Sequence, residues 1–199
     1  METLPREIFE QWRLTAEVIE RDGHGEKVLL LDDGTFLKIF RRKRWLSKTL
    51  FWPPAQRFAD NAEELARRGI PCPRVTGVFR LDKPARTLVK YVPLPGDTLR
   101  KLLGAASKEQ QERLLSDLAV FVTRLHEAGI YFRSLHPGNV VRTPDGELGL
   151  IDISDMRCFA KPLSFQLRKR NLRHLMRYAS DWEQASPEAL RRTLYPTKQ

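Results

Sequence analysis

Residues 139 to 152, NVVRTPDGELGLID, constrain this chain more than any other stretch. Two short apolar runs flank Pro-Asp-Gly, a combination that presets a turn. The stretch therefore predicts a hairpin, and so small a hairpin leaves its two end residues close together. Those residues are Asn139 and Asp152, an amide and a carboxylate, both hard oxygen ligands of the kind Mg2+ prefers. Each alone is an ordinary turn former, so the shared context is what raises them.

Upstream, the apolar pattern alternates before it becomes helical. EKVLLLDDGTFLKIF reads as two strands joined by DDG, with Lys38 alone among Phe36, Leu37, Ile39 and Phe40. Residues 5–20 read as a short lead-in element. PPAQRFADNAEELARRG opens after prolines and closes at Gly69, with Phe58, Ala62 and Leu65 at helical spacing. CPRVTGVFRLD and ARTLVKYV read as two further strands. Pro93, Pro95 and Gly96 then form a connector, followed by a short helix capped by Asp97 or Thr98. A longer helix is predicted from Lys108 to Ala128. Its stripe is Leu114, Leu115, Leu118, Val122 and Leu125, and Gly129 ends it. KRNLRHLMRYASDW predicts one more helix, and the last dozen residues a helical tail. The expected class is α+β in two lobes of one domain, hinged near Pro93. Residues 1–92 supply a small antiparallel sheet plus one helix, and residues 93–199 a mainly helical lobe carrying the hairpin.

Composition narrows the partners more than the fold. With 41% hydrophobic and 30% charged residues the chain is expected to be globular. No apolar run approaches a membrane span, and METLPREIFEQW carries charges where a signal peptide needs an apolar core. A cytoplasmic location is expected. Cys72 and Cys158 lack metal-type spacing and read as small core residues. The net charge of +10 gathers in residues 38–48 and 168–177, where basic and apolar side chains interleave. Solvated helix faces would have that composition; so would a surface that meets lipid headgroups or a phosphorylated glycan. Nucleic acid is disfavoured, since charge alone speaks for it and no base-reading motif is present.

Phosphoryl transfer asks for few protein groups: a strand lysine for the donor phosphates, a loop residue to orient the acceptor hydroxyl, and an amide and a carboxylate for the metal. On these residues the chain resembles the protein-kinase-like superfamily. FRSLHPGNVV is similar to its catalytic loop, H-R-D-L-x-P-x-N, with Arg133, Leu135, Pro137 and Asn139 in matching places. LIDIS resembles the metal-binding D-F-G strand end at Asp152, and FLKIF the strand lysine at Lys38. GHGEKV, with Gly23 and Gly25, resembles a shortened glycine-rich loop, although a plain turn would read the same. LVKYV before PGDTL resembles the hinge, which places Lys90 and Val92 at the nucleotide. Within the superfamily the chain is most similar to compact bacterial lipopolysaccharide kinases, the Kdo/WaaP group, and to proteins labelled toluene tolerance. ARRGIPCPRV resembles that group's helix exit, and only 47 residues follow Asp152, which leaves no room for a long activation segment. The resemblance implies ATP and Mg2+ held by Lys38, Asn139 and Asp152. It also implies transfer to a lipopolysaccharide core sugar at the inner leaflet, met through the two basic segments.

The chain departs from the pattern at informative places. Ser134 stands where the family has its catalytic Asp, and a neutral hydroxyl is not a base near neutral pH. Phe132 replaces the bracing His, and Ile153 and Ser154 replace the Phe and Gly after the metal-binding Asp. Counting back from Gly69 puts Phe58 where the helix glutamate paired with Lys38 belongs; small shifts offer Asp60, Glu63 or Glu64, and Glu64 is preferred. His136 either contacts the γ-phosphate, substitutes as base, or only packs or caps the loop. Asp155 is an alternative acid or a surface residue. The expected catalytic set is therefore Arg133, Ser134 and His136. Losing general-base help costs about 10² to 10⁴ in rate when the transition state is loose. A slow kinase and a pseudokinase that binds nucleotide without turnover are both consistent with that loss.

Overall fold

Each apolar run of the first half finds its partner in one sheet. The protein is described by a computed structural model covering residues 1–41, 52–82, 85–183 and 190. Strands β1 (Glu2–Thr3), β2 (Glu17–Asp22), β3 (Gly25–Leu30), β4 (Phe36–Arg41), β5 (Arg74–Asp82) and β6 (Ala85–Val92) pair in the order β1-β5-β6-β4-β3-β2. All pairs are antiparallel except β1 with β5. The class is α+β, as expected.

Strand alternation sorts the side chains onto two faces. One face gathers Leu29, Leu37, Ile39, Leu81 and Leu88 into a cluster with Leu4 and with Phe9 and Trp12 of helix α1 (Arg6–Thr15). Each fully buried leucine there contributes about 2 kcal/mol. The opposite face carries Val28, Lys38 and Val89 in one cross-strand row. Helix α2 (Pro54–Arg67) packs on that side, where Phe58 meets Tyr91 with ring centroids 5.1 Å apart. The lead-in of residues 5–20 is thus a helix followed by a strand, and the first half holds two helices where one was expected.

The chain divides into two compact units, Met1–Glu64 with Cys72–Pro93, and Leu65–Pro71 with Leu94–Gln199. The short segment Leu65–Pro71 belongs with the second unit through its bonds. Arg124 donates to the Gly69 carbonyl at 2.7 Å, and Leu150 N–H to the Pro71 carbonyl at 2.9 Å. Gly69 makes the exit from α2 with a positive φ of 66°, a conformation that suits glycine.

The second unit follows the predicted order. β7 (Asp97–Thr98) leads into α3 (Leu99–Ala105), whose cap is Thr98. Helix α4 (Lys108–Glu127) opens on a capping box of Ser107 and Gln110 and buries its whole predicted stripe. β8 (Ile130–Phe132), β9 (Val140–Arg142), β10 (Leu148–Leu150) and β11 (Met156–Cys158) follow, with β9 and β10 forming the hairpin and β11 pairing β8. Helix α5 (Phe165–Leu175) departs from its predicted limits. It starts earlier, because Ser164 caps it, and stops earlier, leaving Ala179–Trp182 as a separate 3-10 turn. Except for Leu190, the expected helical tail lies outside the described residues. Cys72 and Cys158 are half-buried, not core residues as expected; the Cys72 thiol sits 3.4 Å from the Ala62 carbonyl. Among the described residues no helix is long and apolar enough to cross a membrane.

Candidate functional site

In the first unit, alternation puts Lys38 on the face that α2 covers. The lysine is 6% exposed, and its Nζ lies 5.9 Å from the Phe40 ring centroid. Helix geometry separates the three candidate acids. Asp60 accepts from Trp52 Nε1 at 2.7 Å and Gln56 Nε2 at 2.8 Å, and Glu63 is exposed. Glu64 is half-buried and flanks the buried stripe of Ala55, Phe58, Asn61, Ala62 and Leu65. Phe58 itself is core packing.

The other first-unit candidates occupy different surroundings. Gly23 and His24 are the two central residues of the β2–β3 turn, which Asp22 and Gly25 close as a pair. Gly25 has φ 111°, and the Asp22 carboxylate accepts from His24 N–H at 2.8 Å and Arg41 at 2.6 Å. Lys90 pairs with Leu37, which puts its side chain on the face opposite Lys38. There it bonds Asp33 at 2.7 Å and lies 5.0 Å from the Trp12 ring. Val92 ends β6 opposite Arg74. Of the basic segment 38–48, Lys38 is buried, Arg41 is tied to Asp22, and residues 42–48 lie outside the described residues.

In the second unit, one hairpin and one strand pair gather the rest. Pairing of Val140 with Leu150 continues through Ile151 N–H to the Asn139 carbonyl at 3.0 Å, so Asn139 and Asp152 end up at the hairpin's open end. Asn139 is buried, and its Nδ2 donates to the Ser134 carbonyl at 2.9 Å. That bond commits the amide nitrogen and turns the oxygen, the atom a hard cation takes, the other way. Asp152 has φ 54°, the one positive φ outside glycine among the described residues. Aspartate tolerates this left-handed conformation better than most residues, which lets it end the hairpin. These donors suit Mg2+, which needs few protein ligands and keeps several waters. Among the described residues no cluster of three or more His, Cys, Asp or Glu could hold a metal otherwise.

The loop between β8 and β9 is braced by groups far away in sequence. Phe132 is fully buried, and its carbonyl accepts from Asn171 Nδ2 at 2.6 Å, while Asn171 Oδ1 meets His126 Nε2 at 3.1 Å. Residue 132 thus holds the loop through backbone and packing, as expected of a phenylalanine standing where the resemblance has a bracing His. His136 Nδ1 accepts from Gly138 N–H at 3.1 Å and from Arg100 Nη2 at 3.3 Å. Two donors on Nδ1 assign the ring proton to Nε2. Burial, with the Arg100 charge beside it, pushes the His136 pKa below its usual 6.5, and the negative charges of Asp181 and then Asp152 oppose this. A neutral ring so placed caps the loop and can donate from Nε2, for instance to a phosphate; it is not set up as a base. Tyr178 packs edge-on against it, centroids 5.2 Å apart. Arg100 also forks onto Asp181, whose side chain is 1% exposed. A Cβ on Gly138 would sit 2.6 Å from Arg100 Nη1, so a side chain there would displace the guanidinium. Arg133 is exposed, and its charge acts on His174.

Ser134 is the residue whose setting differs most from expectation. Its Oγ donates to Asp155 Oδ2 at 2.7 Å. Asp155 lies in the 3-10 turn Ile153–Asp155, and the pairing of Phe132 with Met156 brings that turn beside the loop. Asn171, Arg100, Asp181 and Tyr178 were missed by sequence reasoning. Asn171 carries the one prior signal, a polar residue at a position where helix α5 turns inward.

No family model matches the chain, and no curated protein matches it. Among solved structures the chain is similar to the kinase PK-1 of Cydia pomonella granulovirus. Identity is 14% and the TM-score 0.46, covering 80% of this chain and 58% of that one. The chain thus spans less than two thirds of that kinase's length.

Proposed function

We propose that this chain is a kinase-like phosphotransferase that moves the terminal phosphoryl group of ATP to a hydroxyl of an anionic envelope glycan, with lipopolysaccharide core as the leading substrate class. The observation that carries this reading is the hairpin ladder, which gathers Asn139, Asp152 and the Ser134 loop at one end. Asn139 and Asp152 would hold Mg2+, which neutralises phosphate charge when bound. Lys38 would meet the donor phosphates, Glu64 would orient that lysine, and His136 Nε2 would donate to a phosphate oxygen. The glycan assignment rests on charge. Helix α5 and the residues after it expose Lys169, Arg170, Arg173 and Arg177, while Arg168 turns to Glu127 at 2.8 Å. A cytoplasmic chain using that face at the inner leaflet fits this arrangement. Ser134, in place of an acid, favours a second reading: a pseudokinase that binds nucleotide without turnover.

Thermal shift with Mg-ATP, followed by transfer of labelled phosphate to purified core oligosaccharide, tests the proposal. Saturating nucleotide is expected to raise the wild-type midpoint by about 5 °C and to leave Asp152→Ala unmoved. Binding without transfer, and an unchanged glycan phosphate content in a deletion strain, would establish the pseudokinase reading. No shift in the wild type would defeat both.

A further inference from the structure

We infer that Asp155, acting through the Ser134 hydroxyl, supplies the carboxylate that position 134 lacks, so that the pair together orients and deprotonates the acceptor; the inference rests on the phosphotransfer reading above. Four observations carry it. The antiparallel pairing of β8 with β11, Phe132 opposite Met156, places residues 134 and 155 at adjoining ends of two strands. Ser134 Oγ gives its single proton to Asp155 Oδ2 at 2.7 Å. With that proton committed, the oxygen offers only lone pairs to a third group, and a hydroxyl approaching it must donate. Asp155 Oδ1 is buried and has no hydrogen-bond partner among the described residues. An orphaned carboxylate oxygen is expensive to keep, and a functional demand is one of the few reasons to keep it. The same serine is tied through its carbonyl to Asn139 Nδ2 at 2.9 Å, so its hydroxyl is fixed relative to the amide proposed to hold the metal.

The step balances without a further reagent. The acceptor oxygen bonds to the γ-phosphorus as the bond from that phosphorus to the β-γ bridging oxygen breaks, and nucleoside diphosphate leaves with the electron pair. The acceptor proton passes to Ser134 Oγ while the serine's own proton passes to Asp155 Oδ2. Solvent removes the proton from Asp155 and restores the pair. Ser134 touches the reacting hydroxyl. Asp155 acts through it as a positioning residue and proton store.

The test uses the full chain with Mg-ATP, purified core oligosaccharide as acceptor, and water as the minimal acceptor in a hydrolysis assay. Asp155→Asn is expected to lower kcat by about 10² to 10³ with the nucleotide Kd and thermal midpoint unchanged. Ser134→Asp in that background is expected to restore turnover, which a structural role for Asp155 would not allow. Ser134→Ala, which leaves Asp155 in place, guards against misfolding of the first variant and should show the same loss. Without nucleotide, the carboxyl 13C resonance of Asp155 should move on Ser134→Ala. Unchanged kcat in Asp155→Asn or Ser134→Ala, or a carboxyl resonance that stays put, overturns the inference while the phosphotransfer reading stands. A wild type that binds Mg-ATP but transfers phosphate to neither acceptor overturns the inference and leaves only nucleotide binding. A wild type that binds no nucleotide overturns both.

Discussion

Lys38 in the first unit and Asp181 in the second are both charged groups kept out of water, and they are held there by different means. Lys38 is buried because every second residue of β4 faces α2, so its position follows from the strand it sits in. Asp181 is 1% exposed and held by a forked bond from Arg100, 81 residues earlier in the chain. Around the second-unit loop this is the rule: Asn171 reaches Phe132 over 39 residues and Ser134 reaches Asp155 over 21. The sheet unit buries its lysine by strand periodicity and leaves its long-range ion pair, Lys90 with Asp33, in contact with water; the helical unit holds buried polar groups by long-range hydrogen bonds. Damage to single polar side chains should therefore be tolerated in the first and felt in the second.

The largest effect is expected from Asn171→Leu. The residue is fully buried and satisfies both the Phe132 carbonyl and His126. Its loss leaves two buried polar groups without partners, at about 3 kcal/mol. Denaturant titration measures that, and hydrogen exchange should show β3, β4 and β6 unaffected. The matched change in the first unit is Asp33→Asn, which removes the Lys90 ion pair at 2.7 Å. Because the Asp33 side chain is 53% exposed, the cost should stay below about 1 kcal/mol. Equal costs would remove the distinction between the units.

Arg100→Gln is expected to come next, at about 2 kcal/mol. It leaves the Asp181 carboxylate buried without its cation, but half of the arginine side chain is already in water, which reduces the penalty. The variant should also free the ring of His136, which is detectable as a change in its imidazole resonances. A variant as stable as the wild type would show that water replaces the guanidinium without cost.

The same contrast explains what could be read before any coordinates. The strands, α2 and its Gly69 stop, α4 with its stripe, and the Asn139–Asp152 hairpin all follow from patterns within about twenty residues, and all were legible. The burial of Lys38 in its strand and the placement of Asn139 at the hairpin's end were legible for that reason. Helix α1 was read only as a lead-in element, because Phe9 and Trp12 bury against strands far away in the chain. The replacement of an imidazole at position 132 by an amide at 171 could not be seen, since no periodicity links the two. Asp155 was named only as an alternative for the same reason: the pairing of β8 with β11 that makes it a neighbour of Ser134 is a tertiary fact.

The smallest effect near neutrality is pH dependence, and it separates the units by sign and window. His126, His136 and His174 all have pKa values lowered from 6.5, chiefly by burial. Above pH 6.5 these rings are neutral in folded and unfolded chains alike. Below it the unfolded chain takes up protons that the folded second unit resists, so stability is full above 6.5 and is lost as pH falls through the folded values. In the first unit Asp33 is pulled down to about 2 from 3.8 by the bonds from Lys90 and then Thr35. Its contribution is full above 3.8 and is lost only as pH falls through about 2. Between pH 7.5 and 5.5, hydrogen-exchange protection corrected for intrinsic rates should therefore fall in α4, β8 and α5 and hold in β3, β4 and β6. His126→Gln should flatten much of that slope, because an amide can still meet Asn171 but cannot take the proton. A parallel decline in both units would mean that they unfold as one cooperative body, and the contrast in how they hold charge would then carry no separate energetic consequence.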